Sequence, residues 1–147
     1  MKIDDAIKSK FDSELTKAAV NIKYTANFLM SMSNKFMSSY DLTMPQFNIL
    51  RILRGAKDVM AVNTIKERMV EKSPNTTRLM DKLIDKGLIS RERCENDRRV
   101  VYVKITKKGL DLLSKLDLAL KKTDMVPKNL TEKEAATLSD LLDKLRG

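Results

Sequence analysis

Two adjacent arginines, Arg98 and Arg99, follow Asp97 where a polar stretch changes into a β-branched and aromatic run. A second polar group precedes an amphipathic segment upstream and comprises Ser73, Asn75, Thr76, Thr77 and Arg78. Side chains of these types at a helix N-terminus can hydrogen-bond base edges and phosphates in a DNA major groove. The helix dipole adds attraction for phosphate. Helix capping and a solvated hairpin tip are the simpler interpretations of the two groups.

Positive charge is concentrated in the middle of the chain. The 147 residues carry 29 Lys and Arg against 20 Asp and Glu, a formal net charge of +9. Residues 63–108 hold 13 of the basic and 7 of the acidic residues, so +6 of the excess lies there. Such a local excess indicates a surface that binds a polyanion, although lysines that only aid solubility would give the same count.

Few residues could carry out catalysis. Histidine is absent, which removes the commonest general base and the commonest metal ligand. The single cysteine, Cys94, has no partner for a zinc site, and the four glycines form no phosphate-binding loop. We therefore expect a protein that is not an enzyme and that uses no metal or cofactor.

Composition also bounds the cellular location. The chain is 42% hydrophobic and 33% charged, as expected for a folded globular protein. It contains no apolar run long enough to span a bilayer and no secretory pattern at its start. Together with the lone cysteine, these features predict a cytoplasmic protein without a membrane partner.

Amphipathic helical segments flank a central region. Apolar residues recur at steps of three or four over about 10–40, which predicts one long helix. One small domain cannot cover so long an apolar stripe, so part of it is expected to contact another chain. Two helices are predicted within 107–147, the first capped by Thr106 and the second by a capping box of Thr131 and Glu134.

The central region begins with two short helices. Thr43 and Gln46 form a capping box for the first, which is expected to end at the "RG" of residues 54–55. The second is predicted over about 62–70.

A third helix and a hairpin follow. The helix is predicted from 74 to 86, with Ser73 as its cap, Pro74 in its first turn and Gly87 at its end. The runs "LISRER" and "VVYVKI" then predict two strands on either side of the arginines. We expect Cys94 to be a buried or half-buried spacer beside this hairpin.

Residues 73–109, "SPNTTRLMDKLIDKGLISRERCENDRRVVYVKITKKG", resemble the MarR family of bacterial winged-helix transcription regulators. The run L-x-x-K-G-L-I-x-R at 83–91 matches the family's turn from recognition helix to wing. The signature D-x-R, followed by a strand ending in V-x-(L or I)-T near a glycine, is matched by Asp97, Arg99, Val103, Ile105, Thr106 and Gly109.

The resemblance implies a mainly α fold with a small β-hairpin wing. A winged helix-turn-helix domain over 43–105 would lie between dimerisation helices at 10–40 and 107–147. The resemblance further implies major-groove and backbone contacts to DNA from the residues Ser73, Asn75, Thr76, Thr77 and Arg78.

The family resemblance also implies different roles for the two arginines. It makes Arg99 the wing arginine that enters the minor groove and Asp97 the residue that orients the tip. Arg98 aligns with a variable position, so it is a phosphate contact or is solvated. Members of the family respond to small phenolic or anionic ligands, which implies a pocket lined by Tyr40, Met44 and Phe47, although core packing would explain the same three residues.

These observations predict a homodimeric regulator that binds double-stranded DNA. We expect a repressor that recognises a palindromic operator and is released by a small-molecule ligand. The alternative is an architectural or nonspecific nucleic-acid-binding protein with the same fold, because it would share the charge distribution.

Overall fold

The computed structural model describes residues 1–70, 72, 74–93, 95–123 and 126–147, and Ser73 and Cys94 therefore lie outside the described residues. Within these ranges the chain forms seven helices and three strands. In chain order they are α1 (Ile3–Ile7), α2 (Glu14–Ser38), α3 (Met44–Ala56), β1 (Met60–Ala61), α4 (Val62–Arg68), α5 (Thr76–Asp85), β2 (Ile89–Arg93), β3 (Val101–Ile105), α6 (Lys107–Lys122) and α7 (Glu132–Arg146).

The long helix predicted over about 10–40 is confirmed as α2, although it begins about four residues later, and the short helix α1 precedes it. Ser13 begins α2, and its hydroxyl accepts a hydrogen bond from the backbone N–H of Thr16 at 3.1 Å. A serine cap satisfies one of the free donors at a helix start, so it fixes the boundary locally. Asp4 of α1 pairs with Lys17 of α2 at 2.6 Å, and the hydrogen bond from Lys17 lowers the pKa of Asp4.

The capping box predicted for α3 is confirmed. Thr43 accepts from the Gln46 N–H at 3.3 Å, and the Gln46 side chain accepts from the Thr43 N–H at 3.1 Å. The predicted stop at 54–55 is wrong, since Gly55 lies inside α3 and the chain turns at Lys57, with a φ of 59°. Glycine permits a helix to end but does not require it.

The three strands form one antiparallel sheet in the order β1-β3-β2. The predicted hairpin of β2 and β3 is confirmed, with Arg91 opposite Val103 and Arg93 opposite Val101. The short strand β1, in which Met60 pairs with Val103, was not predicted because two residues are too few for a period-two pattern. It attaches the start of α4 to the middle of β3.

One hydrophobic core joins α3, α4, α5, α6 and the sheet. Its side chains are supplied mainly by aliphatic residues and methionines rather than by aromatic ones. The buried members are Met37, Leu42, Phe47, Ile49, Leu50, Leu53, Ile65, Met69, Met80, Leu83, Leu88, Ile89, Val103, Leu113 and Leu116.

The end of α5 is closed by a glycine turn, as predicted. Gly87 has a φ of +70°, its N–H donates to the Ile84 carbonyl at 2.8 Å, and the Leu88 N–H donates to the Leu83 carbonyl at 3.0 Å. These two bonds form the Schellman motif that commonly ends a helix. The hydroxyl of Thr106, which caps α6 as predicted, also donates to the Gly87 carbonyl at 2.6 Å.

The C-terminal helix α7 has the predicted capping box of Thr131 and Glu134. Hydrogen bonds from the backbone and side chain of Thr131 lower the pKa of Glu134. Several leucines of α7 remain exposed in the single chain. Across the described residues, every helix is too short or too polar to cross a membrane.

Gly109, in the first turn of α6, lies very close to the backbone that leads into β2. A Cβ at this position would lie 2.3 Å from the Leu88 carbonyl oxygen and 2.7 Å from Cγ1 of Ile105. We expect Gly109→Ala to lower the free energy of unfolding by roughly 1–3 kcal/mol, the usual cost of overpacking, in urea denaturation. The matched control is Gly55→Ala, whose Cβ would meet nothing within 4 Å. It should raise stability by up to about 1 kcal/mol, and equal effects of the two substitutions would contradict this close approach.

Candidate nucleic-acid interface

The helix predicted to meet DNA is α5. It follows α4 after a short connection, and the two together form a helix-turn-helix arrangement. The helix begins at Thr76 with Asn75 as N-cap, two residues later than predicted, so Pro74 lies in the turn before it. The predicted cap, Ser73, lies outside the described residues.

Thr76 corrects the prediction that the whole polar group at the start of α5 is exposed. Its exposure is 1%, whereas Asn75, Thr77 and Arg78 are exposed. Thr76 precedes the buried Met80 by four residues, so both side chains lie on the face of α5 that packs into the core. This spacing was visible in the sequence and would have identified the position.

The exposed face of α5 continues past its first turn. Thr77 and Asp81, four residues apart, are directed toward the wing, and both line a cavity between α5 and the hairpin. Arg78 and Lys82 are likewise four residues apart and exposed, so they form a neighbouring row on the same helix. The helix therefore presents the Thr77 hydroxyl and the cations Arg78 and Lys82 on the side away from the core.

The wing tip is held by a side chain. Oδ1 of Asp97 accepts a hydrogen bond from the backbone N–H of Arg99 at 2.9 Å, which is the contact of an Asx turn. The Val100 N–H donates to the Asp97 carbonyl at 3.3 Å. Asp97 thus fixes the backbone at Arg99, immediately before β3 begins.

The two arginines of the tip lie in different surroundings. Arg99 lines the cavity of about 260 Å³ between α5 and the wing, together with Thr77 and Arg91. Arg98 instead lines an adjoining hollow of about 630 Å³ along the hairpin, with Glu92 and other charged side chains. Arg99 is therefore the arginine of the pair that lies on the side of the recognition helix.

A direct ion pair connects the wing to α5. The guanidinium of Arg91 in β2 hydrogen-bonds Oδ1 of Asp81. Both side chains are about half exposed, so solvent screens the pair and it contributes little to stability. Its effect is geometric, because it holds the hairpin against the exposed face of α5.

The proposed ligand residues lie at the junction of α2 and α3. Phe47 is a buried core residue, and Tyr40 and Met44 are partly buried against the same core. The rings of Phe36 and Tyr40 are 5.5 Å apart, and the Arg51 guanidinium lies 5.7 Å from the Phe47 ring centroid. No group of three or more acidic or sulfur ligands that could hold a metal occurs among the described residues.

An exposed polar face on the second helix of a helix-turn-helix, followed by a hairpin with an arginine at its tip, defines a winged helix-turn-helix protein. The predicted fold class is thereby confirmed. The family model of the MarR family matches residues 42–101.

Relatives extend this match over most of the chain. The multiple antibiotic resistance protein MarR of Escherichia coli K12 is 33% identical over 114 residues, which are 76% of this chain and 78% of that protein. MarR of Salmonella typhimurium is 36% identical over 118 residues, with the same coverage of both chains. The crystal structure of a cysteine-to-serine mutant of E. coli MarR with operator DNA superposes with a TM-score of 0.80, at 29% identity, over 93% of this chain and 99% of that one. The chain therefore belongs to the MarR family of winged-helix transcription regulators.

Proposed function

We propose that the protein is a homodimeric repressor that binds a palindromic operator and is released by a small ligand. One observation carries the DNA-binding part of this proposal. The arginine-tipped wing is fixed beside the exposed N-terminal face of α5, so that Arg99 and Thr77 border the same cavity. A recognition helix in the major groove and an arginine in the adjacent minor groove require this juxtaposition.

The recognition helix would supply two kinds of contact. Asn75 and Thr77 are short and exposed, so they suit hydrogen bonds to base edges in the major groove. Arg78 can reach a guanine or a phosphate, and the free amides of the first turn favour phosphate. Thr76 is left out of this surface because it is buried, and it would act by anchoring the helix.

The wing would supply a contact that depends on the shape of the DNA minor groove. A narrow minor groove has a strongly negative potential and attracts an inserted arginine. The Asx turn at Asp97 holds the backbone of Arg99, which reduces the conformational entropy lost when the guanidinium enters the groove. Arg98 lines a different hollow, so we assign it to a phosphate or to solvent.

Exposed apolar side chains on the flanking helices support a dimer. Leu138, Leu141 and Leu145 of α7 are 46%, 59% and 61% exposed, and Phe28 of α2 is 51% exposed. Large exposed apolar side chains that recur along one face are typical of an interface. A twofold dimer would present two recognition helices to half-sites about 10 base pairs apart.

The ligand has two candidate positions. The family resemblance proposes Tyr40, Met44 and Phe47, of which Phe47 is part of the core. The cavity beside α5 supports a second position, since Arg91 and Arg99 bring two guanidinium groups to a partly apolar hollow. A small aromatic carboxylate there would neutralise Arg99 and separate the wing from α5, and both effects would weaken DNA binding.

Arg99→Ala should weaken operator binding by roughly 1–3 kcal/mol, as expected for loss of a specific contact. Binding is measured by fluorescence anisotropy against a duplex that the wild-type protein selects from a random library, and against a random duplex of equal length. The matched control is Arg98→Ala, which removes the same charge from the neighbouring position. Any loss it causes should be similar for both duplexes, because a phosphate contact carries no sequence information.

Several outcomes would contradict sequence-specific DNA binding of the proposed kind. If wild-type protein binds both duplexes equally, the protein is a nonspecific nucleic-acid binder. If Arg99→Ala and Arg98→Ala have the same effect at every salt concentration, the wing does not distinguish the two arginines. If affinity does not fall with rising salt, contacts to phosphates are not important.

Leu141→Glu should convert the dimer into monomers and reduce operator affinity, because a charge would be buried at the interface. Sedimentation velocity measures the oligomeric state. Ala136→Glu is the control, since it places the same charge on the other side of α7. A protein that sediments as a monomer before substitution, or a dimer that is unchanged by Leu141→Glu, would refute this interface.

Benzoate, as a simple aromatic carboxylate, should release the protein from the selected duplex. Arg91→Gln should raise the concentration needed for half release roughly tenfold, through loss of a charge-assisted hydrogen bond. Met44→Ala tests the other position. If it raises this concentration and Arg91→Gln does not, the ligand binds between α2 and α3, and no release in any variant would exclude this ligand class.

A further inference from the structure

We propose that Lys86 and Asp41 set the angle of the recognition helix to the dimerisation helices, and thereby the half-site spacing that the dimer accepts. The proposal rests on the dimeric, operator-binding function proposed above. Lys86 is the C-cap residue of α5, and Asp41 lies in the turn between α2 and α3. The two residues are 45 positions apart in the sequence, yet the Lys86 ammonium contacts both the carbonyl and the carboxylate of Asp41.

The contact has a backbone part and a side-chain part. The Nζ of Lys86 donates to the Asp41 carbonyl oxygen and lies 3.2 Å from Oδ2 of the same residue. The Asp41 side chain is 93% exposed, whereas the Lys86 side chain is only 31% exposed. Solvent therefore screens the attraction to the carboxylate, and the bond to the carbonyl is the more specific of the two.

Local backbone geometry makes the Asp41 carbonyl available. Asp41 has a φ of 54°, and the Leu42 N–H closes the end of α2 by donating to the Met37 carbonyl at 3.2 Å. The left-handed residue reverses the chain after α2, as in other helix ends of this type. Its own carbonyl lies beyond the helix, where Lys86 reaches it.

Lys86 also has a polar contact through its backbone. The Nζ of Lys108, in the first turn of α6, donates to the Lys86 carbonyl at 2.8 Å. Lys86 thus contacts the end of α2 through its side chain and the start of α6 through its backbone. Both helices belong to the segments assigned to dimerisation, so the C-terminal end of α5 is fixed between them.

The ion pair between α5 and the wing does not fix this angle. Asp81 pairs with Arg91 of the wing, which would move together with α5. Packing of Met80 and Leu83 in the core sets the position of the helix, and a hydrogen bond at the helix end adds a restraint that depends on direction. Because the contact is made by the end of the Lys86 side chain, away from the helix axis, it resists rotation of α5 about its C-terminal end.

A small tilt would be sufficient to change the spacing. The ten residues of α5 are about 15 Å long, so a tilt of about 6° moves the N-terminus by about 1.5 Å. Twofold symmetry doubles this displacement to about 3 Å, close to the rise of one base pair, about 3.4 Å. Loss of the contact should thus reduce discrimination between operators that differ by one base pair in spacing.

The test uses the full-length dimer and three duplexes. One has the spacing that wild-type protein selects from a random library, and the others have one base pair more or fewer between the half-sites. Lys86→Met keeps the apolar stem and removes the ammonium. We expect the ratio of Kd values between altered and selected spacing to fall at least fivefold in this variant. Urea denaturation confirms that each variant is folded under the binding conditions.

Three further variants separate positioning from charge. Lys35→Met removes one cation from the exposed last turn of α2 and should leave the Kd ratio at the wild-type value. Lys86→Arg keeps a hydrogen-bond donor and should preserve most of the discrimination between half-site spacings. Asp41→Asn removes the exposed carboxylate but keeps the carbonyl and tolerates the positive φ, so its effect should be smaller than that of Lys86→Met.

Distinct results would overturn the two proposals. If wild-type protein selects no duplex, the proposed DNA-binding function fails, and this inference fails with it. If wild-type protein discriminates spacing and Lys86→Met discriminates equally well, only the inference on Lys86 is wrong. If Lys86→Met does not fold, Lys86→Gln removes the ammonium and shortens the side chain, and an unchanged Kd ratio in that variant overturns the inference.

Discussion

The close approach of α6 to the Leu88 carbonyl is the constraint on which the rest of the structure depends. Only a residue without a Cβ fits at Gly109, where an added carbon would lie 2.3 Å from that oxygen. At the same place the Thr106 N–H donates to Leu88 at 3.1 Å, and its hydroxyl donates to Gly87. Four elements therefore meet at this point: the end of the recognition helix, the two wing strands and the start of a flanking helix. Neither the wing nor α5 can move far without displacing α6.

A helix as short as α5 needs this support because only one of its faces is available for packing. Thr76, Met80 and Leu83 use one side for the core, which leaves Thr77 and Arg78 for a partner. Isolated helices of this length are unstable in water, so tertiary packing must maintain the recognition surface. The burial of Thr76 shows that polarity alone does not assign a side chain to a functional surface, since its position relative to Met80 decides its direction.

Patterns among neighbouring residues predicted much of the fold, and the errors occur where contacts between distant residues determine the structure. The capping boxes at Thr43 and Thr131 and the hairpin around residues 94–100 depend on neighbouring residues, and the structure confirms them. The stop at Gly55 was wrong because the left-handed residue that ends α3 is Lys57, two positions later. The missing strand β1 exists only because it pairs with β3. The contact of Lys86 with Asp41 spans 45 positions, and no spacing rule in the sequence indicates it.

The two arginines of the wing show how backbone geometry distinguishes side chains that composition treats as equal. Arg98 and Arg99 have the same charge and are adjacent, so a long-range potential would attract DNA to both. Both residues lie in the turn between the strands, where the Asx turn at Asp97 fixes the backbone at Arg99. Arg99 then borders the cavity beside the recognition helix, while Arg98 does not. Charge can accelerate an encounter with DNA at either arginine, whereas the position of Arg99 depends on the carboxylate of Asp97 and on the strand that follows.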